Sequence, residues 1–255
     1  MEQTIEKMRD IGIKAAAHAY REQAGKPEFL EMNFDERIGI LMEREYLERQ
    51  NNKVRRLRTQ ANLKERAAIE DLQYDPERAL KRAQIRELAQ CLWIKKACNL
   101  IITGATGTGK TYLACAFGEQ ACRHGFKVLF VKLSEFAASL THARTTGSTN
   151  TLLTKAQKAD LLILDEWLRD PLPQPQAREI LDLLDRRYRI TATLFATQLP
   201  VADWHQHITD PTLADAILDR VVHDAHRLQL QGASMRAKRA LVRDAEDGEL
   251  VASLP

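Results

Sequence analysis

The stretch GATGTGKT at residues 104–111 constrains this chain more than any other feature. It has the G-x-x-x-x-G-K-T pattern of a phosphate-binding loop. The apolar run NLIIT at residues 99–103 precedes it and predicts a buried strand. Residues 112–123 follow it with the spacing of an amphipathic helix. A strand, a glycine-rich loop and a helix in this order predict an α/β fold that binds a nucleotide.

The residue types in this loop each have a physical role. The glycines let the backbone turn tightly and bring its N–H groups against phosphate oxygens. The start of the following helix adds partial positive charge. Lys110 is expected to reach the β- and γ-phosphates of ATP, and the Thr111 hydroxyl is expected to ligate Mg²⁺. The predicted nucleotide-binding residues here are Gly104, Ala105, Thr106, Gly107, Thr108, Gly109, Lys110, Thr111 and Tyr112.

A second motif supplies the acidic half of the site. The apolar run at residues 161–164 ends in Asp165 and Glu166, which is a Walker B pattern. A buried strand would deliver Asp165 to Mg²⁺, and Glu166 beside it can polarise an attacking water. Gln198 directly follows a predicted strand at residues 193–197, so its amide is a candidate for orienting that water. We therefore expect ATP hydrolysis with Lys110, Glu166 and Gln198 as catalytic residues.

Strand and helix signals alternate through the second part of the chain, which predicts a parallel sheet flanked by helices. The other predicted strands lie at residues 127–131, 160–165 and 226–230. Residues 1–72 carry helical patterns without strand signals. We therefore predict two domains, a small all-helical one at residues 1–72 and an ATPase domain at residues 73–255.

The helical N-terminal region has a basic segment. A capping box at Asn33 and Glu36 predicts the start of a long helix. Phe34, Ile38, Leu41, Met42 and Tyr46 form an apolar stripe along that helix. Its continuation is basic and has no interleaved aromatic residue to stack on bases, which favours duplex over single-stranded DNA. An ordinary solvated helix explains the charge equally well. The candidate DNA-binding residues are Lys53, Arg55, Arg56 and Arg58.

Composition narrows the setting. The chain has 255 residues, a formal net charge of +3 and 44% hydrophobic residues. No apolar run approaches the roughly 18–20 residues of a membrane span, so we expect no membrane partner. The four cysteines form no C-x-x-C pair, and free thiols fit a reducing cytoplasm.

The motifs together resemble the IstB-like group of AAA+ ATPases, which is related to the DnaC-type helicase loaders. The similar stretches are residues 33–37, 72–74, 104–111, 161–167, 196–200 with Trp204, 210–220 and 232–236. The resemblance implies an AAA+ P-loop NTPase fold and a helper protein of an insertion sequence. Such proteins assemble on DNA with ATP and activate a partner transposase. We accordingly expect duplex DNA, a transposase and further copies of this chain, joined through ATP-bridged subunit interfaces, as partners.

The resemblance also implies roles for three polar residues. Gln198 takes the sensor-1 position, Arg220 the arginine finger that acts on a neighbouring subunit, and Arg236 the sensor-2 position that contacts nucleotide. Two positions depart from the common pattern. Many AAA+ relatives have Asn where Gln198 stands, and many in this group have Asp where Glu166 stands. Glu at the latter position favours hydrolysis.

Three other functions remain open from the sequence. A replicative helicase loader would share the phosphate site and differ in its N-terminal region. A small-molecule kinase also uses a phosphate loop, but would need an acceptor pocket and a lid. A nucleotide-locked scaffold would bind ATP without turnover.

Overall fold

The computed structural model describes residues 1–147 and 151–235, and the chain separates into two compact units, Met1–Arg56 and Leu57–Pro255. The division falls inside the long helix α3 (Phe34–Ala61). Leu57, Ala61 and Leu72 lie in the hydrophobic core of the second unit. The segment between the division and residue 72 therefore packs with the sheet.

The first unit is helical, as predicted. Helix α1 (Glu2–Asp10) and helix α2 (Lys14–Ala24) are separated at Gly12, whose φ of +83° ends the helical path. A 3₁₀ turn, Pro27–Phe29, leads towards α3. The predicted capping box is present, because the Asn33 side chain accepts from the Glu36 N–H and the Glu36 carboxylate accepts from the Asn33 N–H, both at 2.9 Å.

The apolar stripe of α3 is buried at one position only. Leu41 packs with Ala16 and Ala19 in a small core. The other members of the stripe, Phe34, Ile38, Met42 and Tyr46, are exposed. Helical periodicity identified the stripe but not how much of it packs.

After the end of α3, the second unit has short helical pieces and continues as alternating strands and helices. The 3₁₀ turns Ile69–Asp71 and Pro76–Arg78 precede α4 (Arg82–Ala89) and α5 (Leu92–Lys95). The alternating elements are β1 (Leu100–Gly104), α6 (Lys110–Arg123), β2 (Val128–Lys132), α7 (Leu133–Thr146), α8 (Thr151–Lys158), β3 (Leu161–Asp165), α9 (Gln174–Arg187), β4 (Ala192–Thr197), α10 (Pro211–Val222) and β5 (His226–Leu230). Helix α4 starts only at Arg82, after the left-handed residue Ala79 with φ +55°.

The five strands form one parallel sheet in the order β2-β3-β4-β1-β5. Strand β4 lies between β1 and β3. The carboxyl ends of all five strands meet at one edge of the sheet, where ligands bind in open α/β folds. The strand order therefore brings the residues after β1, β3 and β4 together.

Helices cover both faces of the sheet. One core packs α6 against the strands, and the other contains Trp167, Phe195 and Trp204 in edge-on and tilted ring contacts. Arg187 of α9 is buried and donates to the backbone carbonyls of Ala156 and Ala159 at 2.7 and 2.8 Å. Burial lowers the pKa of Arg187 to about 10. Within the described ranges, no helix has the length and apolar character needed to cross a membrane.

Candidate nucleotide-binding site

The phosphate loop connects β1 to α6 at the carboxyl edge of the sheet. Gly107 has φ +83°, and a Cβ atom there would lie 2.8 Å from the Cβ of Ser234. Gly109 has φ +93° and caps α6, which begins at Lys110. Both positions therefore need glycine. The start of α6 adds the partial positive charge of a helix N-terminus beside the loop, which favours a bound anion.

The Lys110 side chain turns back onto its own loop. Its Nζ donates to the carbonyl of Ala105 at 2.7 Å, and the Thr108 hydroxyl donates to the same carbonyl at 2.8 Å. These two hydrogen bonds hold the Lys110 ammonium and the Thr108 hydroxyl against one carbonyl of the loop. A cation and backbone N–H groups converging on one point form a binding site for phosphate.

Thr111 and Asp165 approach each other across the strand order. The Thr111 hydroxyl donates to the Asp165 carboxylate at 2.9 Å. Asp165 is 2% exposed, and this burial raises its pKa, although hydrogen bonds from Thr111 and the Glu166 N–H act in the opposite direction. A hydroxyl and a carboxylate are oxygen ligands of the kind that Mg²⁺ takes alongside nucleotide phosphates, so this pair fits that ion. Over residues 1–147 and 151–235, no group of three or more His, Cys, Asp and Glu forms a metal site.

Glu166 lies between two cations. It has φ +56°, and its carboxylate accepts from Lys132 at 2.8 Å and from Arg169 at 2.5 Å. Burial opposes its negative charge, but the hydrogen bond and charge of Lys132 and the charge of Arg169 outweigh this effect. The pKa of Glu166 is therefore below its usual value. The side chain is a carboxylate at neutral pH, as a general base must be, and both of its oxygens already have partners.

Gln198 lies where the sequence predicted, directly after β4. Its side-chain oxygen accepts from the Thr106 hydroxyl of the phosphate loop at 2.8 Å. Because β4 separates β1 from β3, Gln198 stands between the phosphate loop and the Walker B acids. An amide in this position can contact both a terminal phosphate and a water molecule.

A cleft opens beside the loop. Its empty volume, including the part open to solvent, is about 770 Å³. Glycines and polar residues of the loop form one wall, and the segment before α4 forms another. The lining residues include Leu72, Gln73, Arg78, Lys110, Thr111 and Met235. Tyr112, which the sequence suggests as a nucleotide contact, also lines this cleft.

Arg220 lies at the opposite edge of the sheet from the phosphate loop. Its backbone carbonyl accepts from the side chain of Asn99, which precedes β1, whereas the loop follows β1. The length of the strand separates Asn99 from Gly104 by roughly 16 Å at about 3.3 Å per residue. The Arg220 guanidinium pairs with Asp185 of α9 and donates to the carbonyl of Ala216 at 2.9 Å. Arg220 therefore does not reach the nucleotide site of its own subunit.

The four candidate DNA-binding residues divide between the two units. Lys53, Arg55 and Arg56 are exposed on the part of α3 that belongs to the first unit. Arg58 belongs to the second unit and pairs with Glu119, to which its Nε donates at 2.9 Å. A phosphate would have to compete with Glu119 for Arg58. Arg236, the predicted sensor-2 residue, lies outside the described residues.

Three residues at this site were not found from the sequence. Lys132 and Arg169 contact Glu166, and Arg78 lies against the phosphate loop. A signal was available for Lys132, because it follows a predicted strand next to β3 and must therefore reach the same edge of the sheet. Nothing in the sequence separated Arg78 or Arg169 from ordinary surface arginines.

The fold and the site define this chain as an AAA+ P-loop nucleotide-binding protein. The DnaC helicase loader has the same fold, with a TM-score of 0.52 and 18% identity over 65% of this chain and 97% of that one. AMPPCP-bound DnaA from Aquifex aeolicus also matches, with a TM-score of 0.57 and 18% identity over 72% of this chain and 56% of that one. At this level of identity, these similarities establish the fold alone.

The family follows from sequence similarity. A family model described as IstB-like ATP binding protein matches residues 6–242, and the chain belongs to that family. An insertion sequence ATP-binding protein of Sinorhizobium fredii is 39% identical over 91% of this chain and 95% of its own length. ATP binding is therefore the property that the family and the site share.

Proposed function

We propose that this chain is an ATPase that assembles on duplex DNA and activates the transposase of an insertion sequence. The observation that supports it most strongly is the convergence of three strand ends on one site. Lys110 and Thr111 follow β1, Asp165 ends β3 with Glu166 directly after it, and Gln198 follows β4. These groups can bind a triphosphate and can also activate a water beside it. A protein that only binds ATP would not need the groups that activate water.

The chemistry assigns one task to each side chain. Lys110 and the N–H groups of the loop bind the phosphates, and Arg236 is a further candidate for this contact. Thr111 and Asp165 would hold Mg²⁺, which when bound neutralises charge on the phosphate oxygens. Gln198 orients the attacking water, and Glu166 accepts its proton. Glu166 must release at least one of its cations, Lys132 or Arg169, before it can contact that water.

Hydrolysis would require a second subunit. Arg220 is remote from its own phosphate loop, so it can complete a site only across a subunit interface. In such an assembly ATP lies between neighbouring copies of the chain, and Arg220 of one copy stabilises the charge that develops at the site of the next. This arrangement links nucleotide state to assembly.

The N-terminal region would hold DNA and the partner protein. We assign DNA and partner binding to residues 1–72 and ATP hydrolysis to residues 73–255. The exposed Lys53, Arg55 and Arg56 can contact phosphates without reading sequence, and Arg58 can join them if it leaves Glu119. The insertion-sequence relative supports a transposase as the partner. The four free cysteines fit a cytoplasmic location.

A reconstituted strand-transfer reaction tests this function. It contains the proposed partner transposase, labelled transposon-end DNA, target DNA and ATP. We expect the wild-type chain to raise strand transfer at least tenfold, and Lys110→Ala to lose the effect because it cannot bind ATP. A chain that leaves strand transfer unchanged but loads a replicative helicase onto DNA would identify a helicase loader instead.

A further inference from the structure

Arg78 is a buried arginine that contacts the phosphate loop. It ends the 3₁₀ turn Pro76–Arg78 and is 6% exposed. One nitrogen of its guanidinium donates to the carbonyl of Thr108 in the loop at 3.0 Å, and the other donates to the carbonyl of Gln73 at 2.8 Å. A Cβ atom on Gly109 would lie 3.2 Å from the first of these nitrogens. The guanidinium therefore lies directly against the loop.

The charge of Arg78 has an uncommon environment. Burial of a guanidinium is unfavourable unless a counter-charge or hydrogen bonds compensate it. Within the described part of the chain, no carboxylate lies within ion-pair distance of Arg78. The two groups that accept hydrogen bonds from its guanidinium are neutral backbone carbonyls. Arg78 is one of the residues that line the cleft, together with Lys110 and Thr111. The bound triphosphate, which carries several negative charges, would supply the missing counter-charge.

Backbone contacts make the same residue a junction between three segments. The Arg78 carbonyl accepts from the Gln231 N–H at 3.2 Å, directly after β5. Four residues later, the Met235 N–H donates to the Gly107 carbonyl of the phosphate loop at 2.9 Å. Arg78 thus connects the segment before α4, the phosphate loop and the segment after β5. A change at Arg78 should therefore alter the shape of the loop where the phosphates bind.

We propose that Arg78 is a positioning residue for ATP. Its guanidinium fixes the phosphate loop through the Thr108 carbonyl and places a positive charge beside the triphosphate. This inference rests on the proposed binding of ATP by the loop. Arg78 and Lys110 have different roles in this proposal. Arg78 binds a carbonyl of the loop and so holds the loop in place, whereas Lys110 and the backbone N–H groups contact the phosphates.

The test compares Arg78→Gln, Arg78→Lys and a control, Arg86→Gln, which removes an exposed arginine from α4. Equilibrium binding of fluorescent ATP and of adenosine is measured together with KM and kcat for hydrolysis. We expect Arg78→Gln to weaken ATP binding about tenfold or more, since charge-assisted hydrogen bonds are lost. Adenosine binding should change much less, and the loss should appear in KM rather than kcat. Arg78→Lys should recover part of the affinity because it keeps the charge.

The alternatives give different results. A purely structural role would lower the folded fraction and hence the apparent kcat, with KM unchanged, and would overturn the inference. Equal affinities of the Gln and Lys variants would exclude a role for the charge. If Arg78→Gln does not fold, Arg78→Lys decides, because an ammonium lacks the fork geometry for both carbonyls and should cost about threefold or more in ATP affinity. Absence of ATP binding by the wild-type chain would instead reject the proposed function.

Discussion

The position of Arg220 leads to a prediction about how subunits cooperate. Arg220→Ala should fold, because the ion pair with Asp185 is half-exposed and contributes at most about 1 kcal/mol. The variant should bind ATP as the wild type does, since Arg220 and the phosphate loop lie at opposite edges of the sheet. Its hydrolysis rate in the assembled state should fall about 10³-fold or more, which is the usual contribution of an arginine finger.

Mixing two inactive variants tests the direction of this effect. Arg220→Ala retains Glu166, and Glu166→Gln retains Arg220. In a random assembly of equal amounts, half of the sites keep the base and half of those face an intact arginine, so about one quarter of the interfaces should be active. Turnover by the mixture should therefore approach about a quarter of the wild-type rate.

The control mixture contains Arg220→Ala and the double variant Arg220→Ala/Glu166→Gln. No interface in this mixture has an arginine finger, so turnover should stay at the level of Arg220→Ala alone. Fluorescence energy transfer between labelled subunits confirms that mixed assemblies form. Mixed assemblies without restored turnover at any ratio would refute the action of Arg220 across the interface, and wild-type turnover by Arg220→Ala would refute its role as a finger.

Three further changes test other parts of the account. Burial raises the pKa of Asp165, so the charged carboxylate destabilises the fold, and this destabilisation appears as the pH rises through that pKa. Asp165→Asn should therefore raise the Tm of the nucleotide-free protein by about 2–4 °C at pH 7. Calorimetry should show a smaller gain in Tm at acidic pH. The double variant Lys53→Glu/Arg56→Glu should weaken duplex binding and reduce the slope of log affinity against log salt by roughly 0.9 per lost phosphate contact. The control double variant Lys7→Glu/Arg9→Glu should leave this slope unchanged. Both are measured by fluorescence anisotropy titration. Arg187→Met should lower the free energy of unfolding by about 3 kcal/mol or more, because buried carbonyls lose their donor; urea unfolding with an unchanged midpoint would contradict this.

The sequence predicted the parts of the site that local patterns encode. The phosphate loop, the Walker B acids and Gln198 each follow an apolar run, and parallel strands bring their carboxyl ends to one edge. The bounds of β3 and β5 lie within a residue of the predicted ones. The capping box at Asn33 was also predicted, since its two hydrogen bonds span only three residues.

The contacts that sequence patterns did not predict join residues far apart in the chain. Lys132 meets Glu166 only because β2 pairs with β3, and Arg58 meets Glu119 across 61 positions. A buried arginine such as Arg78 has the same letter as a solvated one, and its burial depends on where the loop passes. Periodicity likewise could not indicate that only Leu41 of the α3 stripe packs in a core.

The central claim is that Glu166 activates water for hydrolysis of ATP bound by Lys110. The most direct measurement is phosphate release by the assembled protein on duplex DNA, with ATP affinity measured on the same samples. Lys110→Ala should lose ATP binding, with each lost charge-assisted contact worth about 1.5–3 kcal/mol. Glu166→Gln should bind ATP with wild-type affinity but release phosphate more slowly, by about 10²-fold or more. Wild-type phosphate release by Glu166→Gln at unchanged affinity would contradict the account.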